Sequence, residues 1–210
     1  MAECIICGWT GPQWGSFKSR PARCIRCGSL ERQRALFLAL VTEGLYPPPH
    51  DPWICVSVAL EKCLSQRFYK TYFNQSIDIS ARGVVRKASL VNLPYRDASL
   101  DMIVHSHVLE HIRDDKAAVS EAVRVLKNGG VMVSIVPCRG DETEEVGYAK
   151  PPHGHWRQYG RSGYIKLLMD GGFQRVTPYG PDWGCDMSKF NLGKDPVFIS
   201  YKQGEEGANR

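Results

Sequence analysis

No stretch of this 210-residue chain is long and apolar enough to cross a bilayer. The longest strongly apolar run, Ala35 to Val41, falls far short of the roughly 20 residues that a spanning helix needs. The start carries Cys4, Cys7 and Trp9 in place of a basic segment and an apolar one. No secretory leader is therefore expected, and the expected location is cytoplasmic. Internal repeats are absent. Beyond residue 34 there is no broad basic stripe interleaved with aromatics, as an extended nucleic-acid surface would need. Histidine is scarce, at six residues, so its clustering at 105–111 and 153–155 stands out. A hydrophobic content of 43% and a charged content of 23% suit a globular chain with a substantial core.

Of eight cysteines, four form two close pairs: Cys4-x2-Cys7, sixteen residues, then Cys24-x2-Cys27. In a cytosolic chain such pairs point to metal, not disulfides. Gly8 and Gly28 follow the pairs as in knuckle turns, and four thiolates at this spacing suit tetrahedral Zn²⁺. A closed four-cysteine site leaves no position open for a substrate, so the metal is read as structural. Residues 1–29 are expected to form a small zinc ribbon. Cys55, Cys63, Cys138 and Cys185 lack such pairing and are read as core or surface thiols. The net charge of +5 is concentrated at the start, where Lys18, Arg20, Arg23, Arg26, Arg32 and Arg34 face only Glu3 and Glu31. These cations either attract an anionic acceptor or RNA, or offset zinc-thiolate charge.

Ser29 reads as the N-cap of a helix over 30–45 that connects the ribbon to the main domain. Tyr46-Pro47-Pro48-Pro49 ends it. Short apolar runs at 53–59, 72–77, 84–88, 100–104 and 131–136 read as strands buried on both faces of a parallel sheet. Helical patterns at 61–69 and 115–126 lie between them, the second with Ala118, Val119, Ala122, Val123 and Leu126 on one face. Asn128-Gly129-Gly130 is expected to stop that helix. A further helix at 163–169 and closing strands at 173–177 and 196–201 complete a domain over 30–202, and 203–210 reads as a disordered tail. Ligands of such sheets bind beyond the carboxyl ends of the strands. The central strand ends in His105, Ser106, His107, Glu110 and His111.

The phrases "SHVLEH", "RVLKNGG" and "SIVP" resemble the later half of a class I S-adenosylmethionine-dependent methyltransferase. "CGSLERQR" is similar to a subgroup in which a zinc ribbon runs into the first helix. The resemblance implies an α/β, Rossmann-like fold, a seven-stranded and mostly parallel sheet, with S-adenosylmethionine bound at its carboxyl edge. It departs from the family after the first strand, where the usual acid and Gly-x-Gly turn are replaced by Ser57, Ala59 and Glu61. Because non-glycine residues avoid positive φ, the turn is expected to take another shape. Ala59, Leu60 and Glu61 would still line the methionine end, with Glu61 facing its ammonium group; otherwise the site is degenerate and non-catalytic. Asp78 would hold the ribose and Ser89 would stand at the adenine amino group, with Ile79, Leu90, Ser106 and His107 as further cofactor-binding residues. The alternative for Asp78 is a cap of the turn Ser80-Ala81.

The irregular stretch 138–160 is long enough to be a lid over the same edge. Its acidic part, 141–145, reads as a solvated turn. Arg32, Arg34, His153, Arg157 and Tyr159 are the candidate substrate contacts, and His111, His107 and His155 the candidate catalytic residues. If a helix starts directly after the central strand, His107, Glu110 and His111 share a face. That set resembles the divalent-cation site of some O-methyltransferases, so a second cation at Glu110 and His111 is a further expectation, against a metal-free histidine base. Segment 179–195, with Trp183, Met187 and Phe190, covers either the acceptor pocket or an oligomer interface. The expected function is methyl transfer to an oxygen of a hydroxylated or anionic small molecule or sugar, without a membrane partner. The alternatives are an RNA methyltransferase anchored by the ribbon and a non-catalytic zinc-containing interaction module.

Overall fold

A computed structural model describes residues 1–49, 52–79, 85–147, 154–180 and 188–204. The chain opens with two short antiparallel hairpins. One pairs β1 (Ala2–Cys4) with β2 (Trp9–Gly11), the other β3 (Gly15–Phe17) with β4 (Arg20–Arg23). The two cysteine turns are knuckles. Gly8 N donates to Cys4 O at 2.8 Å and Gly28 N to Cys24 O at 2.9 Å, with φ of 69° and 76°. Glycine takes that conformation without a Cβ clash.

Helix α1 (Glu31–Thr42) starts one residue later than the sequence suggests. Ser29 is not its cap. Leu30 N donates instead to Gln33 Oε1 at 2.6 Å, and the buried Ser29 hydroxyl lies 3.4 Å from Cys4 Sγ and 3.3 Å from Cys27 Sγ. The pull of the sulfur cluster on that hydroxyl overrides the local capping preference.

The main sheet contains β5 (Ile54–Val58), β6 (Phe73–Asp78), β7 (Arg86–Lys87), β8 (Leu100–Ser106) and β9 (Leu126–Ile135). After the short hairpin of β10 (Glu144–Glu145) and β11 (Arg157–Gln158), β12 (Phe173–Tyr179) and β13 (Val197–Lys202) close it. The order is β12-β13-β9-β8-β5-β6-β7. Pairing is parallel from β7 to β9, and β13 and β12 join antiparallel. Helices α2 (Lys62–Thr71), α3 (Asp115–Val125) and α4 (Arg161–Asp170) complete the described elements with α1.

Alternation along the strands builds a core on each face. Met102 and Val104 of β8, with Val131 and Val133 of β9, face α1 and α2. Ile103 and Met132 face α3 and α4. The cysteine module packs into the first of these cores: Cys4, Ile6, Trp14 and Cys24 share it with Leu36, Phe37 and Leu40 of α1. Helix α3 stops at Val125, ahead of the glycines, because Leu126 already pairs with Leu100.

Arg34 bolts these parts together. It is fully buried. Its Nε donates to Phe190 O at 2.6 Å, Nη1 to Ser29 O at 2.8 Å, and Nη2 to Ala22 O at 3.0 Å and Asn191 O at 2.8 Å. Its guanidinium lies 3.8 Å from the centre of the Trp14 ring. Burial lowers its pKa to about 10, which leaves it charged at neutral pH, and the cysteine thiols nearby oppose that shift. Arg34 is therefore not a substrate contact, since its donors are spent inside the fold. None of the described helices is long and apolar enough to cross a membrane.

Candidate active site and cysteine cluster

From the centre of this parallel sheet, β5, β6 and β7 are added in turn towards one edge and β8 and β9 towards the other, so β5 and β8 flank the switch point. The residues just beyond their carboxyl ends are Ala59 and His107. Both take left-handed backbone conformations, with φ of 50° and 56°. The turn after β5 thus keeps a positive φ with alanine where glycine would be unstrained, and the expectation of a differently shaped turn is corrected. Ala59 N donates to Ile77 O at 3.0 Å, which helps to hold it there. A non-glycine residue in this region costs about 1–2 kcal/mol. Ala59→Gly is expected to stabilise the protein by up to about 1 kcal/mol, the strain relief being offset in part by the flexibility of glycine in the unfolded chain. A denaturant midpoint that stays level or falls would refute the strain.

Glu61, the N-cap residue of α2, reaches towards α1. Its Oε1 accepts from Arg32 Nε at 3.0 Å, Arg32 Nη2 at 2.7 Å and Gln33 Nε2 at 2.5 Å. Its Oε2 is buried and has no hydrogen-bond partner among the described residues. Leu60, next to it, packs against the core on the α1 side. Asp78 ends β6, and Ile79 beside it is 71% exposed. Ile79, Lys87, Ala88, Ser89, Asn92 and Pro94 line a hollow of about 430 Å³. The Leu90 side chain is in the core, so only its backbone can face that hollow. The alternative cap role for Asp78 involved Ser80 and Ala81, which lie outside the described residues.

A second cavity, of about 640 Å³, opens between the start of α1, His107 and the segment before β13. Arg20, Glu31, Arg32, Asn191, Lys194 and Asp195 are among its walls. Arg20 is paired with Glu31. Gly193, at φ 80°, presses on Glu31 so closely that a Cβ would sit 2.9 Å from the Glu31 Cβ. His107 Nδ1 lies 3.3 Å from Glu110 Oε1, and its Nε2 lies 3.6 Å from Asp195 Oδ2. Glu110 is 1% exposed, with neither carboxylate oxygen hydrogen-bonded among the described residues. Ser106 is buried with its hydroxyl likewise unpartnered. His105 lies beneath, fully buried, and burial holds its pKa down to about 4, so the ring is neutral at pH 7. Burial raises the pKa of Asp195. Nothing in the sequence marked Asp195, because the segment around it has no periodicity. Its nearness to His107 arises only when β13 returns beside β9.

The histidines do not share one helical face. The left-handed His107 breaks the chain direction, and only a 3-10 turn at Leu109–His111 follows. His111 turns instead to the loop, where its Nδ1 lies 3.0 Å from Gly154 O and its ring packs edge-on against His155, 4.8 Å between centres. Glu110, His111 and His155 each offer one metal-ligating atom within 4.8 Å of the others. His153 lies outside the described residues.

Two other expected substrate contacts are corrected. Arg157 is buried, with Nε on Glu145 Oε1 at 2.8 Å, Nη1 on Ile112 O at 2.8 Å and Nη2 on Arg113 O at 2.7 Å. Tyr159 is buried and donates to Asp115 Oδ2 at 2.8 Å. Both tie the loop to the start of α3. The acidic run is not simply solvated either: Glu145 pairs with Arg157, and Asp141 Oδ1 accepts from the Ser162 hydroxyl at 2.5 Å at the start of α4.

In the cysteine module, the Cys4 and Cys27 sulfurs are 3.7 Å apart, and those of Cys7 and Cys24 are 3.6 Å apart. One sulfur from each of the four lies within 4.8 Å of the rest. The cluster has the shape of a small zinc-binding module. Burial pushes the unpaired thiols of Cys63 and Cys138 up to about 12, so they stay protonated, and Cys55 is fully buried. Cys185 lies outside the described residues.

The strand order, the switch point and the antiparallel edge define the class I S-adenosylmethionine-dependent methyltransferase fold, and the chain has that fold with an amino-terminal cysteine cluster attached. A methyltransferase-domain family model matches residues 60–134. A Mycolicibacterium smegmatis protein described as a probable S-adenosylmethionine-dependent methyltransferase is 32% identical over 108 residues, 51% of this chain and 41% of that protein. A Mycobacterium tuberculosis protein so described is 35% identical over 97 residues, 46% of this chain and 35% of the relative. The chain thus spans well under half the length of these curated relatives. Among solved structures, a Thermotoga maritima methyltransferase described as a possible histamine N-methyltransferase is 18% identical, with a TM-score of 0.53 over 80% of this chain and 99% of that one. The Burkholderia thailandensis 1,6-didemethyltoxoflavin-N1-methyltransferase, solved with S-adenosylhomocysteine, is 13% identical, with a TM-score of 0.59 over 82% of this chain and 78% of that one.

Proposed function

We propose that this protein is a methyltransferase that uses S-adenosylmethionine to methylate an oxygen of a small hydroxylated molecule or sugar. The residues at the switch point fit that cofactor. Asp78 suits a ribose, the exposed Ile79 suits a flat apolar ring, and Glu61 Oε2, without a hydrogen-bond partner among the described residues, suits an ammonium group. When bound, the cofactor supplies an electrophilic methyl group. The observation that carries the oxygen reading is His107, on the wall of the larger cavity, with Nδ1 3.3 Å from the buried Glu110. With its Nδ1–H turned to Glu110, His107 would act as a base through Nε2, a buried atom without a hydrogen-bond partner among the described residues, which an acceptor hydroxyl would have to reach. Asp195 borders the same point.

The small acceptor is favoured over RNA because three of the six basic residues of the first segment are already engaged within the fold, which leaves only Lys18, Arg23 and Arg26 as exposed cations outside those contacts. Arg20 is on Glu31, Arg32 on Glu61, and Arg34 is buried. The test is transfer of labelled methyl from S-adenosylmethionine to panels of hydroxylated, carboxylate and amine small molecules and to RNA. Labelling of a hydroxyl compound is expected. Labelling confined to RNA or amines overturns the reading, and absence of any S-adenosylmethionine binding would point to a non-catalytic module.

Asp78→Ala is expected to weaken S-adenosylmethionine binding by about 10- to 100-fold, the loss of a charged hydrogen-bond acceptor. Calorimetry giving wild-type affinity would move the ribose contact elsewhere. We also propose that Cys4, Cys7, Cys24 and Cys27 hold one structural Zn²⁺. A second reading of the acceptor site is favoured by the close approach of Glu110, His111 and His155: a divalent cation there would hold the acceptor oxygen. Activity that survives stripping of loosely bound metal, with the cysteine-bound zinc retained, eliminates this second reading.

A further inference from the structure

Helix α1 carries an unexplained pair of features at its junction with the sheet. Arg32, at its first turn, is about one-third exposed and lines the larger cavity. Two of its donor atoms, Nε and Nη2, are on Glu61 Oε1, 3.0 and 2.7 Å away. Gln33 adds a third donor to that same oxygen at 2.5 Å. One oxygen of the carboxylate is thus saturated, while the other, buried, has no partner among the described residues. A carboxylate turned by three donors so that its second oxygen lacks any is arranged for a donor from outside the chain. The Arg32 guanidinium has a further nitrogen, Nη1, that makes no hydrogen bond among the described residues. A cation with donors to spare and an anion with an acceptor to spare, 2.7 Å apart beside a strand-end turn, match an α-amino acid zwitterion.

We propose that Arg32 and Glu61 together bind the amino-acid end of the cofactor, Arg32 taking its α-carboxylate and Glu61 Oε2 its ammonium. This rests on the cofactor reading above. Gln33 is a positioning residue, because it holds Glu61 Oε1 while its own Oε1 accepts from Leu30 N at the start of α1. The cofactor site is thereby composite. Its nucleoside end lies on β6 and β7, and its amino-acid end is gripped by the helix that grows out of the cysteine cluster. The helix start is itself fixed to that cluster through Ser29, whose hydroxyl touches two of the sulfurs and whose carbonyl accepts from Cys24 N at 2.8 Å. The cysteine module then contributes to cofactor recognition, beyond stapling the chain.

The test compares two ligands on the full chain by calorimetry: S-adenosylhomocysteine, which carries the zwitterion, and 5′-methylthioadenosine, which shares the thioether nucleoside and lacks it. Glu61→Gln and Arg32→Met are each expected to weaken S-adenosylhomocysteine binding by about 10- to 100-fold, as for a lost charged hydrogen bond, and to leave methylthioadenosine binding unchanged. Gln33→Ala should move the same ligand in the same direction by less. Glu61 stands at the N-cap position of α2 without a side-chain capping bond, so Glu61→Gln removes no cap, and Arg32→Met makes the same comparison from the other side. Wild-type affinity for both ligands in Glu61→Gln and Arg32→Met overturns the proposal, and so does equal weakening of both ligands, which would mean general damage to the pocket. If neither ligand binds the wild-type chain, the cofactor reading itself falls and takes this proposal with it.

Discussion

Cys24→Ser should release the metal from the cysteine cluster and destabilise the whole protein, not the amino-terminal segment alone. Zinc bound tetrahedrally at about 2.3 Å from each thiolate places its sulfurs about 3.8 Å apart. The pairs at 3.7 and 3.6 Å already have that spacing. In zinc-finger peptides such a site is worth about 10–16 kcal/mol, so forfeiting even a third of that is large against the roughly 5–15 kcal/mol that hold a domain folded. The loss cannot stay local, because Cys4 and Cys24 share one apolar core with α1 and with Val131 and Val133 of the central sheet. Metal analysis of the wild type should find one zinc per chain and of the variant almost none. The melting temperature should fall by about 10 °C or more, given 2–4 °C per kcal/mol for a chain of this size. An unchanged zinc content would remove the cysteine assignment. A variant that loses zinc and melts as before would show that the shared core stands without it.

His107→Ala should cut turnover by about 10²- to 10⁴-fold, the range for loss of a general base, while S-adenosylhomocysteine binds nearly as before. The geometry singles out His107 over its neighbours. It lines the larger cavity, whereas His111 faces the loop carbonyl of Gly154 and the ring of His155. The informative comparison is kcat against KM for the acceptor in His107→Ala and His111→Ala side by side. A loss confined to kcat in His107→Ala supports the base. If His111→Ala carries the larger loss, the base or a cation belongs to the Glu110, His111 and His155 group, and the assignment of His107 is wrong.

The sheet was legible because strands such as β8 and β9 are buried on both faces and therefore spell continuous apolar runs. The knuckles were legible because both the cysteine spacing and the trailing glycines follow from the geometry of the turn. What escaped the sequence were roles that depend on where a side chain ends up. Arginine donors suit a backbone carbonyl as well as a phosphate, so Arg34 and Arg157 read as ligand contacts yet hold loops. Tyr159 is a similar case. The left-handed conformation of Ala59 and His107 runs against their intrinsic preference, and a propensity argument misses it by construction. The wall at 191–195 has no pattern to read, because its position comes from the return of β13 to the sheet.

Arg34 also imposes an order of assembly. Two of its partners, the carbonyls of Ala22 and Ser29, lie close to it in sequence, whereas those of Phe190 and Asn191 are 156 and 157 residues further on. During synthesis, the first helix and its cysteine turns emerge long before the two carbonyls that complete the shell of the arginine. Closing so long a loop is slow compared with local contacts. A charged side chain must therefore wait, partly solvated, until nearly all of the chain is present, and only then does the last wall of the larger cavity dock. The native pocket is thus one of the final features to form. Protection of the β13 amides that pair with β9 should appear later in refolding than protection in β5 and β8.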